Sequence, residues 1–386
     1  MKNAGKKFLI FGAPAIEQPE IDEVIDCMNK GWLGTGPKVA RFENDFAGYK
    51  GVTYSAAVNS CTAALHLSLI AAGLGPGEEV ITTPMTFCAT VNAIIHTGAT
   101  PVLADVNLKT MNIDPGQIEN KITDKTKAIL PVHFAGRSCD MDPIMKIAEE
   151  NNLKIIEDCA HAIETEYKGK KSGTFGDFGC FSFYVTKNVM TGEGGMVIAH
   201  DNDAISRIKI MALHGMHKDA WKRFSDKGYK HYQVVDAGFK YNMMDIQAAM
   251  GIHQLKRVEK NWACRREIWE RYQEAFADLP VGIPAPFEPD TRHALHLYTI
   301  MINKKNTGIS RDQFLDAMTN EGIGVGVHYM SIPEHPYYQK TYGWSPADFP
   351  NAKKIGRETV SLPLSAKLTD KDAERVIHAV TGVLSR

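Results

Sequence analysis

The chain has 386 residues, 44% hydrophobic and 23% charged, enough for about two domains and for a core that needs no metal or disulfide staples. Its 45 acidic and 44 basic residues leave a net charge of −1, which argues against a protein built to coat nucleic acid or to lie on an anionic membrane. No apolar run approaches the ~20 residues of a membrane span. The seven cysteines include no C-x-x-C pair, so neither a zinc site nor a disulfide framework is indicated, and a reducing cytoplasm is expected.

Lys6-Lys7 ahead of Phe8–Phe11 mimics the start of a leader peptide, but Gly12 and Pro14 interrupt the apolar run. The first helix is expected over Glu20–Lys30, where Ile21, Val24, Ile25 and Met28 form one apolar face and Gly31 can close it. Gly34-Thr35-Gly36-Pro37 reads as a loop, with another helix beginning near Arg41. Short β-rich runs then alternate with helical segments. Strands are expected at Tyr54–Val58, Glu79–Thr82, Pro101–Ala104, Ala128–Pro131 and Lys154–Ile156. Helices are expected at Thr62–Ala72, Val91–His96 and Pro143–Asn151, the last with Asp142 as its cap and Pro143 at its first position. This order implies a mostly parallel sheet covered by helices, whose ligands sit beyond the carboxyl ends of the strands. A long helix follows over Val258–Phe276 with Trp262, Ile268, Trp269 and Tyr272 at apolar positions. Beyond it come a strand at Leu297–Ile302, a helix at Arg311–Glu321, a strand at Gly324–His328 and a last helix capped by Thr369 with Asp372 three residues on. The change of texture near residue 256 divides the chain into a large unit, 1–255, and a smaller α+β unit, 256–386.

Four strand-end segments carry chemistry. Ile155-Ile156-Glu157-Asp158 ends an aliphatic strand in acids, with His161 three residues after Asp158; an ordinary helix cap is the bland alternative. Phe181-Ser182-Phe183 leads to Lys187 and the Gly-rich Gly192-Glu193-Gly194-Gly195, and a lysine held near buried surface can form a Schiff base and shuttle protons, unless it merely snorkels to solvent. Ser60-Cys61-Thr62-Ala63 turns a strand into a helix whose bare N–H groups and dipole can bind a phosphate, or it is a plain Ser/Thr cap. Phe87 follows the next strand and could stack on a flat ring or fill a core. Together they supply an amine, a carboxylate, a phosphate cradle and a stacking surface, the four demands of pyridoxal phosphate (PLP). No metal site, P-loop or Ser-His-Asp set of comparable completeness is present.

These motifs, with Gly73-Leu74-Gly75-Pro76-Gly77-Glu78-Glu79, Pro131-Val132-His133 and Lys187-Asn188, resemble the DegT–StrS group of nucleotide-sugar aminotransferases, over essentially the whole chain. The resemblance implies a fold-type I α/β architecture: a mostly parallel sheet sandwiched by helices, plus a smaller α+β C-terminal domain. Lys187 looks like the lysine that binds the cofactor's aldehyde, and Asp158 like the carboxylate that keeps the pyridine nitrogen protonated. His161 takes the place of a Gln or His near the ring hydroxyl, and Phe87 that of the stacking aromatic. Ser182 and the Ser60, Cys61, Thr62, Ala63 turn resemble phosphate ligands, with Cys61 where most members have glycine. Asn242 looks like the asparagine that completes the partner's site in a homodimer. His328 and the Gly34-Thr35 loop are candidate substrate contacts, although His328 can equally be a core histidine.

The implied activity moves the amino group of glutamate, through pyridoxamine phosphate (PMP), to a keto group of a nucleotide-linked sugar. Within the group, His214-Gly215, Asp219-Ala220-Trp221, Gly238–Asn242 and Gly322–His328 are most similar to the branch that forms 4-amino-4-deoxy-L-arabinose on UDP, which points to C4. Rival readings are a 3-aminotransferase or a cyclitol aminotransferase of the same group, or a non-catalytic PLP-binding regulator. The 3-dehydratase branch replaces the lysine by histidine, so retention of Lys187 favours transamination.

Overall fold

The computed structural model describes residues 7–217 and 232–385, so Lys6 and the Asp219-Ala220-Trp221 motif fall outside the described residues. Seven strands build the central sheet: β1 (Tyr54–Val58), β2 (Glu79–Thr82), β3 (Thr100–Leu103), β4 (Thr126–Leu130), β5 (Lys154–Asp158), β6 (Phe178–Ser182) and β7 (Gly195–Ala199). Their order in space is β1-β7-β6-β5-β4-β2-β3. β7 runs antiparallel to both its neighbours, β6 and β1, and the other neighbouring strands pair in parallel. The expected mostly parallel sheet is therefore present, and the single reversal follows from the short turn that returns the chain from Lys187 to Gly195.

Helices cover both faces because the strands are apolar on both sides. On one face α3 (Cys61–Ala71) buries Ala64, Leu65 and Leu67 against Val58, Ile156 and Val197. On the other, Phe42 and Phe46 of α2 (Pro37–Lys50) pack on Phe181, Phe183 and Ile198. Between these elements, α4 (Cys88–His96), α5 (Met141–Glu150) and α6 (Asn202–Ala212) complete the crossovers. Further along, α7 (Asp245–Lys256) leads into α8 (Val258–Phe276), whose Ile268, Trp269, Tyr272 and Phe276 share a second core with the two-stranded sheet β8 (Tyr298–Met301) and β9 (Thr359–Leu362). This core also takes in α9 (Arg311–Asn320) and α10 (Asp370–Leu384). Thr369 caps α10 as expected: its hydroxyl accepts the Asp372 N–H at 3.2 Å while the Asp372 carboxylate accepts the Thr369 N–H at 3.0 Å.

Three expectations fail locally. The apolar face of α1 (Gln18–Lys30) is turned away from the core: Ile21, Ile25 and Met28 are exposed, Met28 by 64%, and the buried residues are Glu20 and Cys27. Glu20 is held instead by Arg257 and, at 2.8 Å, by the Gln254 amide. Helix α5 begins two residues early, at Met141 with Asp140 before it, so Asp142 lies in the first turn and binds Lys168 rather than capping. Gly324–His328 is not a strand; its contacts are isolated bridges, Gly326 to Ser361 and Ile323 to Leu9.

Candidate active site

The loops beyond β1, β2, β5 and β6 meet at the carboxyl end of the sheet around one cavity of about 530 Å³. Ser60, Cys61, Thr62, Phe87, Asp158, His161, Ser182, Lys187 and His328 all line it. Ala63 does not, but its N–H donates to Ser60 Oγ at 3.1 Å and so shapes the turn. Gly34, Thr35 and Asn242 lie outside the cavity of their own chain. They cluster together: Asn242 Nδ2 donates to Thr35 Oγ1 at 2.7 Å, and Gly34 O accepts the Asp245 N–H at 2.9 Å. Asn242 Oδ1 is buried with no hydrogen-bond partner among the described residues.

The acid pair that ends β5 splits by strand alternation, since successive side chains point to opposite faces. Glu157 accepts the N–H groups of Gly173, Phe175 and Gly176 at 2.7, 2.7 and 3.0 Å, and faces His133 Nε2 at 3.0 Å. Burial alone would raise its pKa, but His133 and these donors hold it below the usual carboxylate value. Glu157, His133 and Cys159 offer ligand atoms within 4.8 Å of one another, yet the Glu157 oxygens are already committed to tying β5 to the following loop. Asp158 faces the cavity. Its Oδ1 accepts the Ala160 N–H at 3.0 Å and its Oδ2 the Thr90 hydroxyl at 2.9 Å. Thr90 Oγ1 is in turn 2.7 Å from Thr86 Oγ1. Burial pushes the Asp158 pKa up, against the pull of those two hydrogen bonds and of Lys187. No helix starts at Asp158, which removes the plain-cap reading.

Lys187 follows β6 by a turn closed by its own N–H to Tyr184 O at 2.8 Å. Among the described residues its Nζ has no hydrogen-bond partner, and burial lowers its pKa from 10.5 to about 8, with Cys61 and Asp158 opposing. Three histidines stand around it. Burial and the Lys187 charge push His161 and His296 well below their ordinary value and take His328 to about 4, so all three are neutral near pH 7. Histidine 328 donates to or accepts from Ser361 Oγ at 2.8 Å.

Opposite, Ser60 caps α3, which leaves the Cys61 and Thr62 N–H groups at the helix start facing the cavity. The turn is pressed against Gly195, where an added Cβ would sit 2.5 Å from the Ser60 carbonyl carbon. The bland cap and the anion cradle are thus one structure. Phe87 is 58% exposed at the mouth, its ring 5.7 Å from that of Tyr329, which excludes a core role. A neutralisable amine, a buried carboxylate, bare helix-start N–H groups and an aromatic lid in a cavity of this size fit PLP.

Sequence reasoning missed Thr90, His296 and Tyr329, all near Lys187 or lining the cavity, while Glu193 of the Gly-rich run also lines it. Only Thr90 left a signal, standing four residues after Thr86, one helical turn.

A sheet with a strand-end lysine set against a strand-end carboxylate defines the class, a fold-type I α/β enzyme. Residues 14–381 match the DegT/DnrJ/EryC1/StrS aminotransferase family, and the chain belongs to it. It is 48% identical over 379 residues, 98% of this chain and 97% of the relative, to the spore coat polysaccharide biosynthesis protein SpsC of Bacillus subtilis (strain 168). Among solved structures it resembles Spr1654 of Streptococcus pneumoniae, assigned as a sugar aminotransferase, with 32% identity, a TM-score of 0.90 and 98% of both chains covered. That protein is solved in PLP and PMP forms as well as without cofactor. Helicobacter pylori PseC, an aminotransferase involved in the biosynthesis of pseudoaminic acid, matches with 29% identity and a TM-score of 0.90 over 98% of this chain and 100% of its own.

Proposed function

We infer that this chain is a PLP-dependent transaminase that moves the amino group of glutamate, in two half-reactions through PMP, to the C4 keto group of a nucleotide-linked sugar. The single observation that carries the reading is the pairing of Lys187 and Asp158 across one strand-end cavity. The role of SpsC in spore coat polysaccharide biosynthesis and that of PseC in pseudoaminic acid biosynthesis support the sugar, and the motif likeness to the 4-amino-arabinose branch supports C4.

When bound, PLP supplies an aldehyde to carry the amino group and a ring that accepts an electron pair. The protein's share is binding, orientation and proton transfer. Lys187, with its pKa near 8, is partly neutral at working pH and can take and return a proton beside the substrate. Asp158 sets a negative charge where a ring nitrogen must stay protonated. The Cys61–Thr62 helix start, Ser60 and Ser182 hold a phosphate, and Phe87 closes the mouth.

We further propose a large PLP domain, 1–255, and a small domain, 256–386, in a cytoplasmic homodimer. The uncovered Ile21, Ile25 and Met28 stripe asks for a protein partner, and the orphaned Asn242 Oδ1 is suited to reach the partner's site. The seven free cysteines suit a reducing compartment, and no helix among the described residues is long and apolar enough to cross a membrane.

The test is Lys187→Ala. The wild-type protein with PLP should show a visible band that L-glutamate abolishes; the variant should lose band and turnover together. Retained turnover overturns the assignment. A panel of nucleotide-linked keto sugars, with product position read by NMR, separates C4 from C3 and sugar from cyclitol.

A further inference from the structure

Behind the Lys187 turn lies a second and much smaller cavity, of about 30 Å³, which the reaction above does not use. Its wall is made by the loop 12–15, the Val185–Asn188 turn, α7, α8 and the loop 364–366. It has only Thr186 and Lys187 in common with the active-site cavity. Two polar side chains one helical turn apart on α8 line it, and the protein leaves both under-bonded. Asn261 is 7% exposed, and its amide makes no hydrogen bond among the described residues. Arg265, 2% exposed, uses one of its three nitrogens. Nη2 donates to Glu164 Oε1 and, at 3.4 Å, to Ala294 O, whereas Nη1 and Nε have no partner among the described residues. The neighbouring amides are spent. Gln254 Nε2 donates to Ala15 O and Glu20 Oε1 at 2.7 and 2.8 Å, and Asn188 Nδ2 to Glu164 Oε2 and Ala294 O, both at 2.9 Å. A buried donor without an acceptor is costly, most of all on a charged group, so this pair marks a place for a ligand.

We propose that the cavity is a binding site for one small monovalent anion of chloride size, held by Arg265 Nη1 and the Asn261 amide behind the lysine turn. Chemistry sets the sign. The guanidinium offers donors only, which excludes a cation, and a charge-assisted bond to it is about twice as strong as one to a neutral acceptor, which favours an anion over water. Glu164 faces Arg265 as well, but its two oxygens are already taken by Arg265 and Asn188. Size sets the class. One water-sized ligand needs about 10–15 Å³ of such space, so the cavity takes a single small ion and has no room for a phosphate, a sugar or an amino acid. The ion stands between the turn that carries Lys187 and the loop 364–366 near the C-terminus, so its occupancy should stabilise their contact. None of this depends on which sugar the enzyme aminates.

The test uses bromide, which replaces chloride and scatters anomalously. Crystals of the wild-type protein with PLP, so that the α3 helix start is filled, should show an anomalous peak in contact with Arg265 Nη1 and Asn261 Nδ2. A water molecule there and no anomalous peak overturns the proposal. In solution the melting temperature of the PLP-loaded protein should rise with chloride and saturate, at an ionic strength held constant with gluconate, an ion too large for the cavity. Asn261→Leu keeps the shape and removes the amide, and the chloride Kd read from that shift should weaken on the order of tenfold, the size of one hydrogen bond to a charged group. A chloride response that this variant shares in full is a general salt effect and overturns the site. Asn261→Asp guards against a leucine variant that does not fold: it sets a fixed negative charge beside Arg265 and should abolish the chloride response, and a response that survives there sinks the proposal.

Discussion

Two lysines on either side of β6 have almost the same electrostatics and different surroundings. Burial lowers both Lys50 and Lys187 from 10.5 to about 8. Lys50, in the last turn of α2, donates to Ile163 O at 3.0 Å and lies 4.8 Å above the centre of the Phe181 ring. Its ammonium is buried against a carbonyl and an aromatic face. Lys187 has no such partners and looks instead across a cavity at Asp158. A depressed pKa is therefore not the mark of a reacting group; an open space in front of the nitrogen is.

The largest effect separates the two by turnover. Lys187→Ala should cost about 10²–10⁴-fold from the lost proton transfer alone, whereas Lys50→Met should keep turnover within a few-fold. Equal losses in the two variants would break the comparison. The next effect is on stability and has a defined sign. Between pH 8 and 10.5 an unfolded lysine is still protonated while the buried one is not, so the unfolded state binds more protons and stability rises with pH. For Lys50 the shift corresponds to about 3 kcal/mol. Urea midpoints should show Lys50→Met ahead of the wild type near pH 7, with the advantage shrinking as pH passes from 8 toward 10.5. A difference that stays flat with pH would mean that Lys50 is solvated. Lys187, with the same shift, contributes a rise of similar size that is common to both proteins and cancels in the comparison.

Lys187 and Asp158 were legible in the sequence because each ends a short apolar run, and the strand-end rule places such groups together without knowledge of the tertiary contacts. The same reasoning failed at α1. Its 3.6-residue spacing defined an apolar face but carried no information on what covers that face, and Glu20 is buried because Arg257 and Gln254 meet it there. Tyr329 and His296 were invisible for a different reason: they reach the cavity and Lys187 from the far side of residue 256, so no local pattern ties them to the strands. The Gly324–His328 run looked like a strand by composition, yet it has only isolated bridges to pair with.

The finest test leaves both lysines intact and loosens only the acid that faces one of them. Thr90 donates to Asp158 Oδ2 at 2.9 Å and leads back to Thr86, while Lys50 has no link to this chain. Thr90→Val keeps the β-branched shape and removes the donor. The carboxylate then has one hydrogen bond fewer to offset its burial, so its pKa, already raised, moves further up. kcat/KM should fall about tenfold, the scale of one hydrogen bond to a charged group. The acid limb of the pH–rate profile should move to higher pH, because more of the Asp158 population is protonated on that side. The pH dependence of stability between 8 and 10.5 should stay as in the wild type, since Lys50 is untouched. An acid limb that does not move would show that the ionisation of Asp158 does not limit the reaction, and would leave Lys187 as the sole ionisable group that sets the site apart from Lys50.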